Sequence, residues 1–240
     1  MPSIQTHLGW KRMRTYDLDV RLTQRQSDSD VKQFLDMVRE LQFAGFALES
    51  PRPLSQRFHD KDLDIIQRVT IAPRSATRLR SHVKNQRNQT NLLVIHGRTK
   101  PVWLSAAEIP EVDMVMLQDI DDFTIIDSQI SRALANNDKP VEICLQKLLS
   151  NKGPARSRLM RVMKIAIDHL LRAKCNLILT SGTTDYWGLR APRDLAALGY
   201  LASIPETEAK NAILQRPIEL IKKIHNSMKS VLSKPHRRKD

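Results

Sequence analysis

Apolar residues gather in seven short runs along the chain: Tyr16–Val20, Phe46–Glu49, Asp64–Ile71, Leu92–His96, Met114–Leu117, Val141–Leu145 and Leu177–Thr180. Several are continuous rather than alternating, as expected of parallel strands covered on both faces. Between them, apolar residues recur three and four apart. Ser29–Gln42 puts Val31, Phe34, Leu35, Val38 and Leu41 on one stripe, and Ser157–Ala173 does so with Leu159, Val162, Met163, Ala166 and Leu170. Leu195–Leu201 and Ile218–Met228 are two further predicted helices. Repeated strand–helix units in 240 residues predict a doubly wound open sheet or a (β/α) barrel. No GxGxxG follows the first strand and no GxxxxGK[ST] occurs, which weakens the nucleotide-binding open sheets. Seven strands fit a barrel better. No linker rich in Pro, Gly or Ser splits the chain, so one domain is expected over 16–229. It would be flanked by a basic arm, Met1–Thr15, and a basic tail, Ser230–Asp240.

Composition narrows the class. Apolar residues make up 41% with few Gly and Pro, which describes a globular protein. No run approaches the ~20 apolar residues that span a bilayer. Met1 to Arg14 contains no apolar signal-peptide core, so a cytoplasmic protein is expected, with no membrane partner. Cys144 and Cys175 sit in apolar surroundings without a CxxC motif, so two buried thiols are expected and no zinc site.

Charge changes the picture more. A net charge of +13 favours a polyanionic partner, without choosing among RNA, DNA and acidic lipid. Aromatics are only 5%, which favours backbone recognition by Lys and Arg over base stacking as the main device. The charge is segregated. Arg74, Arg78, Arg80, Lys84, Arg87, Arg98 and Lys100 form one acid-free block, with Arg80, Lys84 and Arg87 on one face at helical spacing. Lys147, Lys152, Arg156, Arg158, Arg161, Lys164, Arg172 and Lys174 form another, interrupted only by Asp168. Glu108 to Asp127 carries only acids. A solvated face usually mixes signs to gain i,i+4 pairs worth ~0.3 kcal/mol each. Long single-sign blocks forgo that gain and read as a phosphate-binding surface.

The segment Asn176 to Leu201 is the most specific. A buried run, Leu177–Leu179, opens into a polar loop holding Ser181, Asp185, Trp187 and Arg190. Ala191-Pro192-Arg193-Asp194 then starts a helix. A strand feeding a polar loop and then a helix is how α/β barrels display functional residues. Ser181-Gly182, Asp185, Leu189-Arg190, Pro192-Arg193-Asp194 and Leu195 to Leu198 together resemble the C-terminal signature of the ribonuclease P protein component 3 family. That family is the archaeal counterpart of the 30-kilodalton subunit of eukaryotic RNase P. Tyr16–Val20, with its aspartates, and Arg68-Val69-Thr70-Ile71 before a basic helix extend the resemblance over most of Tyr16 to Ile224.

The resemblance implies a TIM-like barrel related to the PHP phosphoesterases. It implies a subunit of the endoribonuclease that removes 5′ leaders from precursor tRNA, in which RNA performs the hydrolysis with bound Mg²⁺. The chain itself would then hold no cofactor and no catalytic residue. Its partners would be the RNase P RNA, precursor tRNA, other RNase P proteins and a small α/β subunit in a heterotetramer of two of each. Its RNA-binding residues are expected among Arg74, Arg78, Arg80, Lys84, Arg87, Arg98, Lys100, Arg156, Arg158, Arg161, Arg190 and Arg193.

Asp17, Asp19, Glu49, His96, Ser181 and Asp185 are candidates for a polar pocket at the barrel mouth. One reading is a pocket satisfied by hydrogen bonds and nearby Arg. The other is a metal site, which makes a stand-alone PHP-type phosphoesterase using Asp17, Asp19, Glu49 and His96 the alternative function. A hydrolytic centre would be short of nitrogen ligands, since Asp17-Leu18-Asp19 stands where the first strand would supply an HxH pair. Arg190 is open to RNA contact or to pairing with Asp185 or Asp194. Trp187 is expected to pack under its loop, and Trp10 and Trp103 to serve in the core or at an interface.

Overall fold

The computed structural model describes residues 15–22, 26–50, 52–54, 58 and 60–232. Seven strands form where the apolar runs lie, each within one residue of the expected bounds: β1 (Tyr16–Val20), β2 (Gly45–Glu49), β3 (Asp64–Ile71), β4 (Leu92–Ile95), β5 (Met114–Leu117), β6 (Val141–Cys144) and β7 (Leu177–Thr180). The helices are α1 (Asp28–Glu40), α2 (Leu79–Arg87), α3 (Lys100–Glu108), α4 (Ile120–Ile125), α5 (Ser128–Asn136), α6 (Gln146–Ser150), α7 (Gly153–Arg172), α8 (Pro192–Leu201), α9 (Glu206–Leu214) and α10 (Arg216–Leu232). Local chemistry explains their starts. Ser27 caps α1 with Asp30 returning the bond to the Ser27 N–H at 3.0 Å, which satisfies two otherwise orphaned donors. α7 begins four residues before the expected Ser157, because Pro154 falls in the first turn, where the N–H it lacks would have no intrahelical acceptor.

The strands pair in parallel in chain order from β1 to β7. The two edges then meet: Val20 bridges Thr183 in parallel, and the Arg21 N–H donates to the Thr183 carbonyl at 2.8 Å. The result is a nearly closed seven-stranded barrel ringed by helices, the architecture the resemblance implied. Strand periodicity of two sorts the side chains. Phe46, Leu93, Val115, Ile143 and Leu179 join the helices in the outer core. Leu18, Ala47, Ile66, Leu92, Met114 and Ile178 form a separate inner cluster, onto which α10 lays Leu220, Ile221 and Ile224. α10 therefore plugs the N-terminal end of the barrel, and the charged interior lies nearer the other end.

Trp103 is fully buried, which assigns it to the core. Trp10 lies outside the described residues. So do the expected arm, save Thr15, whose hydroxyl donates to the Ile213 carbonyl, and the expected tail, save 230–232, which end α10. Cys144 and Cys175 are both buried free thiols, as expected. Among the described residues no helix is long and apolar enough to cross a membrane.

β2 and β3 approach closely at Gly45, where a Cβ would lie 1.9 Å from the Asp64 carbonyl oxygen. Backbone cannot yield as a side chain can. Gly45→Ala is expected to cost about 1–3 kcal/mol of stability, read as a lower urea midpoint.

Candidate functional site

The C-terminal end of the barrel holds two distinct sets of charged groups. The first is internal and centres on Arg68, a β3 residue with 0% exposure. Its Nη1 and Nη2 donate to the two carboxylate oxygens of Glu142 on β6 at 2.9 and 2.8 Å. Nη1 also donates to the Leu18 carbonyl and lies 3.6 Å from Asp19 Oδ1; Nε lies 3.3 Å from Glu49 Oε2. Thr70 and Thr180 complete the shell, donating hydroxyl bonds of 2.6 Å to Glu49 and Glu142 respectively. Arg21 closes it from above with two bonds to Asp19, at 2.8 and 2.6 Å, and one to Gln118 at 3.1 Å.

Asp19 reaches this set because β1 is irregular. The pairing with β2 slips between Asp17 and Val20, a bulge that turns Asp19 toward Arg68. Burial pushes the Asp19 carboxyl up, but the Arg68 and Arg21 guanidinium groups outweigh it and hold the group below its ordinary value. Burial raises Glu142, against the pull of Arg68. Asp17 is different. Its Oδ1 accepts the Ser181 and Asp19 N–H groups at 3.2 and 3.3 Å, while Oδ2 is buried without a hydrogen-bond partner. With no cation beside it, burial pushes it up to about 7.

This geometry divides the six pocket candidates. Asp19 and Glu49 lie against Arg68, whereas Asp17 and Ser181 meet each other, the Asp17 Oδ1 accepting the Ser181 N–H. His96 does not join them: its Nε2 bonds Asp122 Oδ2 at 2.8 Å, and the same oxygen accepts the Gln118 and Asp119 N–H groups. Asp185 does not either, since its carboxylate accepts the Gly188 N–H at 2.8 Å and caps the short turn Tyr186–Gly188. Asp19, Glu49 and Glu142 are already held by the Arg68 and Arg21 guanidinium groups. Asp17, Asp19, Glu49 and His96 are therefore not brought together as one ligand set. His96, Asp119 and Asp122 are close enough together to be considered, but Asp122 already holds His96 and two backbone amides.

The second set is external. Arg98 follows β4, Lys147 opens α6 and Arg158 lies in the second turn of α7. The three line one recess of about 680 Å³ together with Asp119, Asp121 and Asp122. The two basic blocks thus meet in space although Lys147 and Arg158 lie 49 and 60 positions after Arg98 in the sequence. Arg74, Arg78, Arg80 and Lys84 are exposed on and before α2, and Arg161 is exposed on α7.

Other expected RNA ligands make contacts within the chain. Arg87 departs from the Arg80–Lys84 face: it pairs with Asp113 at 2.5 Å and bonds the Glu111, Thr90 and Asn91 carbonyls, tying α2 to the N-terminal end of the barrel. Lys100 pairs with Asp127, and Arg156 donates to the Asn151 and Leu149 carbonyls. Arg190 pairs with neither Asp185 nor Asp194 but donates to the Trp187 and Leu189 carbonyls, both at 2.7 Å. Arg193 stays exposed, 3.9 Å from Asp194. Trp187 is exposed rather than packed under its loop.

Sequence reasoning missed Arg21, Arg68, Gln118 and Glu142. A signal existed for two of them. Arg68 and Glu142 are single charges inside otherwise buried strand runs, and a buried charge needs an opposite partner across the barrel.

The sequence profile of the family described as "RNase P subunit p30" matches residues 14–229. Ribonuclease P protein component 3 of Methanosarcina barkeri is 24% identical over 199 residues, covering 81% of this chain and 83% of its own length. The protein of the same name from Methanosarcina acetivorans is 26% identical over 204 residues, covering 82% and 84%. A chain in the cryo-EM structure of archaeal ribonuclease P with mature tRNA shares the fold, with a TM-score of 0.71 and 19% identity over 92% of this chain and 95% of that one. An amidohydrolase shares it less closely, at TM-score 0.55 and 12% identity, covering 89% and 75%. With its barrel formed from the segments that carry the resemblance, and with the profile matched from end to end of that barrel, the chain belongs to the RNase P subunit p30 family.

Proposed function

We propose that the chain is a protein subunit of ribonuclease P that braces the RNA during removal of the 5′ leader from precursor tRNA. The observation that carries the reading, beside family membership, is the meeting of Arg98, Lys147 and Arg158 in one recess at the C-terminal end of the barrel. RNA helices repel one another when crowded, and fixed cations between them relieve that repulsion. Hydrolysis would belong to the RNA with its bound Mg²⁺, because the internal carboxylates of the protein are held by Arg68 and Arg21. The same feature counts against a stand-alone phosphoesterase. The small α/β subunit, in a heterotetramer of two of each, and the other RNase P proteins complete the proposed particle, which would work in the cytoplasm.

The test is precursor-tRNA cleavage in Mg²⁺ by RNase P RNA and the other protein subunits, with and without this chain. Stimulation with no cleavage by the chain alone is the expected result; cleavage by the isolated chain would return the phosphoesterase. Charge reversal of Arg98, Lys147 and Arg158 to Glu is expected to weaken RNA binding by at least about tenfold. It should also flatten the salt dependence, since each lost phosphate contact removes ~0.9 from the log–log slope. Unchanged binding and slope in the folded variant would move the interface elsewhere.

A further inference from the structure

We propose that Trp187, backed by Tyr186, is a stacking platform for an unpaired nucleobase of RNA. The choice of RNA as ligand rests on the ribonuclease P reading; the platform itself rests on the loop after β7. Trp187 is 74% exposed, more than any other exposed large apolar side chain among the described residues. An indole in water is costly unless something covers it. Its only described aromatic neighbour is Tyr186, with ring centroids 4.7 Å apart and planes 35° from parallel. Tyr186 in turn is half-buried against the outer core. The indole is thus propped against an anchored ring while most of its surface faces solvent.

The backbone beneath is fixed from several directions. The Asp185 carboxylate holds the Gly188 N–H, and the Thr183 hydroxyl donates to the Asp185 carbonyl. Gln26 donates to the Thr184 carbonyl at 2.8 Å. Gly188 passes so near Thr183 that a Cβ there would lie 2.1 Å from its hydroxyl oxygen. Arg190 clamps the Trp187 carbonyl at 2.7 Å. A ring held this firmly has little ordering entropy left to lose on binding, which suits a preformed platform.

Two features favour a base over a protein side chain. The chain around Trp187 is polar: Thr184 and Asp185 precede the Tyr186–Trp187 pair and Arg190 follows it, bonded to the Trp187 carbonyl. The next exposed apolar residues, Tyr200 and Leu201, lie at the far end of α8, a ten-residue helix ~15 Å long, so no continuous apolar patch forms. The Arg190 guanidinium, bonded to the Trp187 carbonyl, also places positive charge next to this residue, suited to the phosphate that follows a stacked base. The loop follows β7 and so lies at the same end of the barrel as Arg98 after β4 and Lys147 after β6.

The test follows tryptophan fluorescence in a Trp10→Phe background, where Trp103 is buried and silent to quenchers. The probes are a short single-stranded oligoadenylate, the same strand annealed to its complement, and an abasic strand of equal length. The oligoadenylate alone is expected to quench strongly. With a fluorescein-labelled strand read by anisotropy, Trp187→Leu should weaken binding about tenfold, the size of one stacked base, while Trp187→Phe keeps most of the affinity. Equal quenching by all three probes, or unchanged affinity in Trp187→Leu, overturns the proposal. Loss of association with the other RNase P proteins in that variant, at unchanged RNA affinity, overturns it in favour of a protein contact. Precursor-tRNA cleavage by the wild-type particle separates the two readings: if stimulation persists while stacking fails, only the platform is lost.

Discussion

Arg68→Met is expected to destabilise the chain by about 3–5 kcal/mol, the cost of leaving buried charges without their partner. Methionine is unbranched and apolar and fills part of the space, so most of the loss reports the guanidinium. What remains is Glu142, with no exposure, and Asp19 and Glu49 beside it. Domains of this size have only ~5–15 kcal/mol in hand, so the variant should be close to unfolding under mild conditions. A urea midpoint measures the loss. Two further readings identify its cause. Glu142→Gln in the Arg68→Met background should recover part of the loss, because the pair is one interaction. Arg68→Met should also be less impaired in acid, where the stranded carboxylates take up protons. Strict additivity of the two changes, with no pH dependence of the loss, would show that Arg68 acts only by filling space.

The second large effect belongs to Asp17. Its carboxyl is raised from 3.8 to about 7, mainly by burial. An acid whose folded value lies above its unfolded value binds more protons folded than unfolded in between. Stability is therefore greatest below pH ~4 as far as this group is concerned. It falls as pH rises toward 7, then stays level. At ~1.4 kcal/mol per unit the total is about 4 kcal/mol as an upper bound. Asp17→Asn keeps an acceptor for the Ser181 N–H and removes the charge, so it should flatten this fall and raise the midpoint at pH 8. Reconstituted precursor-tRNA cleavage should remain nearly intact in Asp17→Asn if the RNA is the catalyst. A collapse of activity with normal assembly would point to a working carboxylate on the protein.

Asp19, two residues on, behaves oppositely. Held below its ordinary value by Arg68 and Arg21, it contributes stability that is present above the unfolded value and lost as pH falls. Asp19→Asn should therefore destabilise at neutral pH where Asp17→Asn does not. The two substitutions, equivalent in a sequence motif, separate by environment alone. Midpoints of both variants at pH 5 and pH 8 would show the contrast.

The fold was legible in the sequence because its signals are local. Buried parallel strands must be continuously apolar, and each run from Tyr16–Val20 to Leu177–Thr180 became a strand. Helix stripes such as Val31, Phe34, Leu35 and Val38 are buried as their spacing requires. The Ser181–Leu198 block carried the family because its loop, cap and helix start sit in one stretch of chain. The segregation of charge was also visible, since it needs only counting. Pairing across the barrel was not. Arg68 and Glu142 are 74 positions apart, and no local pattern says which buried charge meets which. The alternation in Asp17-Leu18-Asp19 suggested one shared face, and only the bulge against β2 sent the two carboxylates to different fates. Arg87 looked like Arg80 and Lys84 by spacing, yet its position at the end of α2 puts it within reach of Asp113. Trp187 looked like a residue to bury, and the hydrogen bonds of its loop hold it out. Strands, helices, family and the excess of positive charge could all be read from residues near one another in the chain. Which charges pair inside the barrel and which stay exposed on its surface could not, because burial and counter-charge are set by residues far apart in sequence.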